Sequence, residues 1–246
     1  MMMELIPVGI LVGAMSGFFG IGGGTILVPI LLAMGFSTKD AIGISIMQMV
    51  FSSIYGSYLN HKKGSLIIGE GILVGIGGFI GGFIGGYVTQ FIADRVLELL
   101  FLCLLFFALY RLLVSKHREE GSQTKSINKT LLFFIGVVIG IFAITLGVGG
   151  SIVLTPILVG LLHYPLNKAV SAGLFFVVFS SVAGISSRLL TGTIDFENAL
   201  IIAIASLIGV WGGIWLKEHI TSKKHKSALL LMYVVAIVIL LNKMWF

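Results

Sequence analysis

Charged residues are scarce in this sequence. Asp, Glu, Lys and Arg make up only 11% of the 246 residues, whereas hydrophobic residues make up 57%. A soluble domain of this length needs many more polar side chains to cover its surface. The scarcity therefore excludes a soluble globular protein and predicts an all-α polytopic membrane protein.

Cysteine is almost absent as well. Cys103 is the single cysteine, which excludes an intramolecular disulfide and a cysteine-cluster metal site. The five histidines all fall in or beside predicted loops, so neither a metal site nor a catalytic triad is indicated, and no motif indicates a cofactor. The net charge of +6 comes from cations in short loops between apolar runs. This distribution is typical of membrane proteins and does not indicate nucleic-acid binding.

Long hydrophobic runs make up most of the chain. Six have about the ~20 residues needed to cross a bilayer, while the first and fifth each exceed thirty residues and carry a glycine cluster in the middle. The runs are 4–36, 38–59, 66–89, 93–114, 131–163, 167–190, 196–216 and 226–244. One polar interruption predicts an N-terminal transmembrane repeat at 1–114, a polar, cytoplasmic linker at 115–130 and a C-terminal transmembrane repeat at 131–246.

The two halves are copies of one another. A shift of 127 residues lays GIGGGTILVP at 20–29 over GVGGSIVLTP at 147–156. A shift of 128 lays 41–56 over 169–184, with Val-Phe-Ser-Ser shared. The shift of 128 also pairs Gly64 with Gly192, Gly81 with Gly209 and Gly85 with Gly213. Chance apolar similarity would not keep this alignment, with a single one-residue indel, through three segments. Duplicated halves are typical of transporters, whose binding site lies between the repeats.

The distribution of Lys and Arg bears on whether the repeats are inverted. If all eight runs cross the membrane, the two faces carry nine and seven cations, which decides nothing. If the fifth run enters and leaves by one face, the tally becomes twelve on the linker face against four. The repeat then predicts the same for the first run. Each half would have three crossings, and the halves would be inverted.

The glycine clusters predict breaks near the middle of the bilayer. Half-helices at about 24–35 and 151–162 would begin there with free N–H groups and partial positive charge. Two such ends converging on one spot form an anion site. The candidate binding residues are Gly20, Gly22, Gly23, Gly24, Thr25, Gly147, Gly149, Gly150 and Ser151, joined by the intramembrane polar residues Gln48, Ser52 and Ser180. Gln48, whose counterpart is Phe176, could equally bond a neighbouring helix, and the serines could bond back to their own helix.

Glycine clusters also occur in nucleotide-binding motifs and between packed helices. A dinucleotide fingerprint starting at Gly20 requires glycine where Thr25 stands, and no Gly-Lys-Ser/Thr marks a P-loop. Close helix packing is the membrane alternative. It is the interpretation for the third run, where Gly77, Gly81 and Gly85 recur every four residues. In the first cluster only Gly20 and Gly24 are four residues apart and the spacing does not recur, which favours a binding site there.

The motif GFFGIGGGTILVPIL, its echo TLGVGGSIVLTPIL and the eight-run plan resemble the sulfite exporter TauE/SafE family of membrane transporters. The resemblance covers essentially the whole chain. It implies export of sulfur-containing anions, such as sulfite and small organosulfonates, across the bacterial cytoplasmic membrane. Only the glycine-motif positions are carried over as site residues.

The leading hypothesis is a secondary transporter (a permease or exporter) for a small anion, a sulfur oxyanion or organosulfonate, with that anion and the lipid bilayer as partners. An anion channel, an intramembrane enzyme acting on a lipid phosphate and a scaffold subunit are the alternatives. The enzyme lacks a base, because no acidic residue or histidine lies near either glycine motif. The coupling ion and a homo-oligomeric state are left open by the sequence.

Overall fold

The structure, a computed structural model, describes residues 2–64, 66, 68–114, 129–160, 166–192 and 194–245. Every regular element in those ranges is helical, which confirms the all-α prediction. Within them the α-helices are α1 (Met2–Phe19), α2 (Gly24–Ala33), α3 (Thr38–Lys62), α4 (Ile68–Val88), α5 (Asp94–Val114), α6 (Lys129–Thr145), α7 (Ser151–Gly160), α8 (Leu166–Thr191), α9 (Phe196–His219) and α10 (Ser222–Trp245). The predicted linker lies outside the described residues except for the start of α6.

Six helices in the described part of the chain are long and apolar enough to cross a membrane: α3, α4, α5, α8, α9 and α10. They match six of the eight predicted runs. The first and fifth runs each form two helices, because the chain leaves the helical conformation at both glycine clusters. Helices α2 and α7 have 10 residues each. At ~1.5 Å per residue they are too short to cross a hydrocarbon core of ~30 Å.

The helices form two sets, and the members of each set run in one direction. In each pair of packed helices, a contact nearer the C-terminus of one helix is also nearer the C-terminus of the other, so the two helices are parallel. For α1 and α9 the contacts are Gly9 with Ile202 and Gly17 with Val210. For α4 they are Gly77 with Phe133 and Gly85 with Ile141 of α6, and Gly78 with Phe176 and Gly86 with Gly184 of α8. Helix α3 joins α1 and α9. Its Gly56 lies near Val210, and Lys63 just after it pairs with Glu218 at 2.8 Å.

Helices α3 and α8, one from each set, lie against each other in opposite directions. Gly56 in the second half of α3 lies against Leu174 in the first half of α8. At the other end, the guanidinium of Arg188 donates a hydrogen bond of 3.0 Å to the carbonyl oxygen of Lys39. The set α1, α3, α9 therefore runs opposite to the set α4, α6, α8.

The glycines of α4 pack helices together, as their four-residue spacing predicts. A Cβ atom on Gly81 would overlap the backbone of α6 at Val137, and one on Gly82 would overlap the backbone of α8 at Ser180. In the second half, Gly213 of α9 lies equally close to the backbone of α1. Small residues allow this approach of two backbones, so the packing interpretation of the third run is confirmed.

Helices α5 and α10 lie outside these two sets. Helix α10 packs against α2 and α5, and α5 also contacts α7. Glu98 of α5 is only 4% exposed and accepts hydrogen bonds from Thr38 at 2.9 Å and from Lys243 at 2.6 Å. This buried carboxylate is thus paired with a cation, and it ties both outer helices to the start of α3.

Candidate functional site

Both glycine clusters adopt the same backbone conformation. Gly20, Gly22 and Gly23 have φ angles of 68°, 78° and 80°, and their counterparts Gly147, Gly149 and Gly150 have 69°, 81° and 76°. Glycine reaches this left-handed region without the steric cost that a Cβ atom imposes. The duplicated motif therefore folds into two loops of one shape, here called loop 1 (residues 20–23) and loop 2 (residues 147–150).

The two loops meet between α3 and α8. A Cβ atom on Gly22 would lie 3.1 Å from Val177 and 3.3 Å from Met49, and one on Gly149 would lie 3.2 Å and 2.6 Å from the same two side chains. Met49 and Val177 occupy equivalent positions under the shift of 128. The two loops therefore make equivalent contacts with an equivalent pair of side chains at the centre of the candidate site.

Each loop also contacts the other half of the chain. Gly20 of loop 1 lies against Val170 of α8, and Gly147 of loop 2 lies against its equivalent in α3, Ile42. The carbonyl oxygen of Gly147 accepts a hydrogen bond of 2.8 Å from Ser45 of α3 and lies close to Gly24 at the start of α2. The site is thus assembled from both repeats.

Helices α2 and α7 begin at this meeting point with unpaired backbone donors. The N–H groups of Gly24 and Thr25 in α2, and of Ser151 and Ile152 in α7, donate to no acceptor in the described residues. The N-cap residue of α2 is Gly23, which has no side chain that could accept a hydrogen bond from these N–H groups. All these positions are buried. Buried amides without partners are rare in proteins, and the dipole of each helix adds partial positive charge at its start.

Three predicted side chains bring further unpaired polar atoms to the loops. Thr25, Ser151 and Gln48 are each 0% exposed. The hydroxyl oxygens of Thr25 and Ser151, and both Oε1 and Nε2 of Gln48, have no hydrogen-bond partner among the residues that the structure describes. A Cβ atom on Gly23 would lie 2.6 Å from Oε1 of Gln48. The carboxamide is therefore directed at the start of α2, and the alternative of a bond to a neighbouring helix is not observed within that part of the chain.

Ser52 and Ser180 differ from these residues, since each has a partner within its own helix. Ser52 donates to the carbonyl of Met49 at 3.5 Å, and Ser180 donates to the carbonyl of Phe176 at 3.3 Å. Both are buried about one turn beyond the centre of the site. Their hydroxyls are less available to a ligand than the hydroxyls at the loops.

Sequence reasoning missed Ser45 and Met49. Both lie in the aligned segments, but their counterparts Gly173 and Val177 differ in type, so identity between the halves does not mark them. A search for positions that differ between equivalent segments would have found them. No group of three His, Cys, Asp or Glu side chains that could hold a metal ion occurs in the residues that the structure covers.

Comparisons with known proteins agree with one another. A family model described as sulfite exporter TauE/SafE matches residues 5–240. The probable membrane transporter protein YdhB of Bacillus subtilis is 25% identical, with 97% of this chain and 100% of that protein covered. A probable membrane transporter protein of Methanocaldococcus jannaschii is 28% identical, with 89% and 87% covered. No solved structure matches the chain.

Proposed function

The chain belongs to the sulfite exporter TauE/SafE family, and from this premise we propose that it is a secondary transporter that moves a small anion, a sulfur oxyanion or organosulfonate, across the membrane. Its relatives are named membrane transporters and six of its helices are long enough to cross a bilayer, so it is a multi-pass transporter of the cell membrane. The identity of the anion and the way it is held are the parts that we propose.

The observation that carries the proposal is the pair of helix starts at the meeting point of the two loops. Free amides at Gly24, Thr25, Ser151 and Ile152 supply short, directional donors. Helix N-termini bind anions in many proteins without any buried lysine. An oxyanion placed between α2 and α7 would satisfy donors that have no partner in the described residues.

The directions of the helices support a re-entrant first run. Helices α1 and α3 both run parallel to α9, so they start at the same face, and α2 has to return the chain to that face before α3 begins. The same reasoning applies to the fifth run. Helices α6 and α8 both run parallel to α4, so they start at the opposite face from α1 and α3, and α7 has to return the chain to that face before α8 begins. We infer that the two repeats are inverted, with three crossings each.

The inverted arrangement of the repeats also indicates the direction in which the anion would move. With both runs re-entrant, the linker face carries twelve of the sixteen Lys and Arg residues, which makes it the cytoplasmic face. A membrane potential that is negative inside drives an anion outward by ~2.3 kcal/mol per charge per 100 mV. Export of a small anion from the cytoplasm therefore needs no nucleotide, consistent with the absence of a P-loop motif from the sequence.

The topology is tested by labelling single cysteines in intact cells. Cys103 is exposed, so it is first replaced by alanine. Cysteines at the exposed positions Glu4, Ser37 and Glu197 should all react from one face, and one at Lys62 from the other. Opposite faces for Glu4 and Ser37 would contradict a re-entrant first run, and opposite faces for Ser37 and Glu197 would contradict a re-entrant fifth run.

Anion binding is tested by thermal shift of the purified protein with sulfite, methanesulfonate, sulfate and acetate, followed by flux into proteoliposomes. A ligand at a hundred times its Kd stabilises the native state by ~2.7 kcal/mol. The informative variant is Thr25→Val with Ser151→Ala, which removes two buried hydroxyls that have no partner in the described residues. The unliganded protein should be equally or more stable, because unpaired buried groups cost ~1–3 kcal/mol, while the shift produced by the anion should fall.

The matched control is Ser206→Ala, which removes a buried hydroxyl that donates to the carbonyl of Ala203 at 2.7 Å in α9. It should leave the anion-induced shift unchanged. An undiminished shift in the Thr25→Val, Ser151→Ala variant would contradict the site. A unitary conductance in planar bilayers, in place of saturable flux, would identify a channel.

A further inference from the structure

The two half-sites have the same backbone but different side chains. Here half-site 1 means loop 1 and the start of α2 together with Ser16 of α1 and Gln48 of α3, and half-site 2 means loop 2 and the start of α7 together with their counterparts Ala143 of α6 and Phe176 of α8. Under the repeat alignment, Gly24 and Val28 correspond to the hydroxyl residues Ser151 and Thr155, whereas three polar residues of half-site 1 correspond to apolar residues in half-site 2. The pairs are Ser16 with Ala143, Thr25 with Ile152 and Gln48 with Phe176.

Half-site 1 is rich in polar groups without partners. Ser16, Thr25 and Gln48 are each 0% exposed, and none of their side-chain polar atoms has a hydrogen-bond partner in the described part of the chain. The carboxamide of Gln48 lies beside Gly23, next to the free amides of α2. A glutamine side chain carries two N–H donors. The atom of this carboxamide that faces Gly23 is Oε1, and its Nε2 is unpaired as well in the described residues. Unpaired polar side-chain atoms and free backbone donors thus lie together at the start of α2, where burial without a ligand is costly.

Half-site 2 is closed by an aromatic ring. A Cβ atom on Gly150 would lie 2.5 Å from Cε1 of Phe176 and 3.0 Å from both Ala143 and Ile139. The ring also contacts Gly78 of α4 on another side, so its position is set by packing. Among the residues that the structure describes, the unpaired polar side chains here are the hydroxyls of Ser151 and Thr155, and neither residue supplies a side-chain amide. The space equivalent to that of the Gln48 carboxamide is therefore apolar.

We propose that the anion binds in one orientation, with its oxyanion head at half-site 1 against Gln48 and an apolar substituent against Phe176. This rests on the proposed function, because it assumes that the loops hold the transported anion. Both helix starts offer donors to the head group, but only half-site 2 has an apolar wall, Phe176, where half-site 1 has a carboxamide. This difference favours an amphiphilic monoanion, a sulfonate or carboxylate with a short alkyl or aryl group, over a symmetric inorganic oxyanion. Gln48 and Phe176 are then the residues that determine specificity.

The wild-type protein provides the first test. Binding of methane-, ethane-, propane- and butanesulfonate is measured by calorimetry and thermal shift beside sulfite, sulfate and the carboxylates of equal chain length. Affinity should rise about fourfold for each added methylene that is buried, and sulfite and sulfate should bind more weakly than propanesulfonate. The series that binds more tightly, sulfonate or carboxylate, identifies the head group. Affinity independent of chain length would overturn the proposal.

Two substitutions assign the ends of the ligand. Gln48→Leu should weaken every anion about tenfold or more, because a hydrogen bond to a charged group is lost, and should leave the dependence on chain length intact. Phe176→Gln should flatten that dependence and raise the affinity for sulfite. Phe176→Leu is the matched control, since an apolar wall remains, and it should keep the dependence.

The outcomes separate the two proposals. If anions bind but Phe176→Gln and Phe176→Leu give the same dependence on chain length as the wild type, the orientation is wrong and the transporter proposal stands. If none of these anions binds the wild-type protein, both proposals fall. If Phe176→Gln does not fold, the wild-type chain-length series still decides the preference for an apolar substituent.

Discussion

Glycine is used for two different purposes in two regions of this protein. In α4, glycines such as Gly81 have helical backbones and bring the backbone of a neighbouring helix into contact. In loops 1 and 2, glycines such as Gly23 have positive φ angles and turn the chain where two half-helices begin. The first use depends on the missing side chain as space, and the second depends on backbone conformation as well. The same residue type therefore marks helix packing in one region and the candidate site in the other.

The largest expected loss of stability follows from placing a large side chain at Gly81, one of the glycines of α4 that lie against the backbone of α6. In Gly81→Leu, the added side chain would meet the carbonyl of Val137 and, at 2.9 Å, the backbone nitrogen of Ile141. Backbone atoms cannot give way as a flexible side chain can, so α4 and α6 should separate. We expect loss of more than the ~1–3 kcal/mol typical of overpacking, measured as thermal stability and yield in detergent. A stable protein would contradict the packing role.

A smaller and more specific effect is expected from Gly23→Ala. The left-handed backbone of an alanine costs ~1–3 kcal/mol, and the methyl group would lie 2.6 Å from Oε1 of Gln48. Both stability and anion binding should decrease. The control is Gly35→Ala, because Gly35 has a φ of 92° but nothing within 4 Å of its added Cβ atom in the described structure.

Gly35→Ala should show the cost of the backbone conformation alone and keep anion binding intact. The difference between Gly23→Ala and Gly35→Ala in thermal-shift and binding measurements therefore reports the contacts of the added methyl group with Gln48 at 2.6 Å and with Val12 at 2.9 Å. Equal losses of anion binding in both variants would show that loop 1 has no special role.

The smallest effect should have the opposite sign. Gly212 lies within α9, its φ is not positive, and an added Cβ atom would meet none of the described residues within 4 Å. Gly212→Ala should stabilise the protein by ~0.5–1 kcal/mol, because glycine loses more backbone freedom in a helix than alanine does. Thermal unfolding in detergent measures this, and a clear destabilisation would show a contact with another partner.

Several features of the fold could be predicted from the sequence, because they depend on local composition. Apolar runs of ~20 residues predict membrane helices, and the six long helices were found in this way. The two glycine clusters interrupt the two longest runs, and the chain leaves the helix at both. The four-residue spacing in α4 also predicted its packing contacts. Each of these signals lies within a few helical turns of chain.

The composition of the candidate site could be predicted only in part. The glycines, Thr25 and Ser151 carry the repeated motif, and Gln48 stands out as a polar residue in an apolar run. For Ser52 and Ser180 the sequence is equally compatible with a binding role and a structural role, and their intrahelical bonds favour the structural one. Whether a buried hydroxyl is free or bonded depends on its rotamer and its neighbours, and spacing does not specify these.

The sequence by itself determined that this is a duplicated helical membrane protein with two interrupted runs, because composition and repetition are properties of the chain alone. Only the tertiary structure decided that loop 1 meets Val170, that loop 2 meets Ile42 and that both meet between Met49 and Val177. It also decided that Gln48 and Phe176 close equivalent spaces with opposite polarity. The contacts between halves, of Gly20 with Val170, Gly22 with Val177, Gly147 with Ile42 and Gly149 with Met49, join residues a hundred or more positions apart. They depend on how the two halves pack against each other.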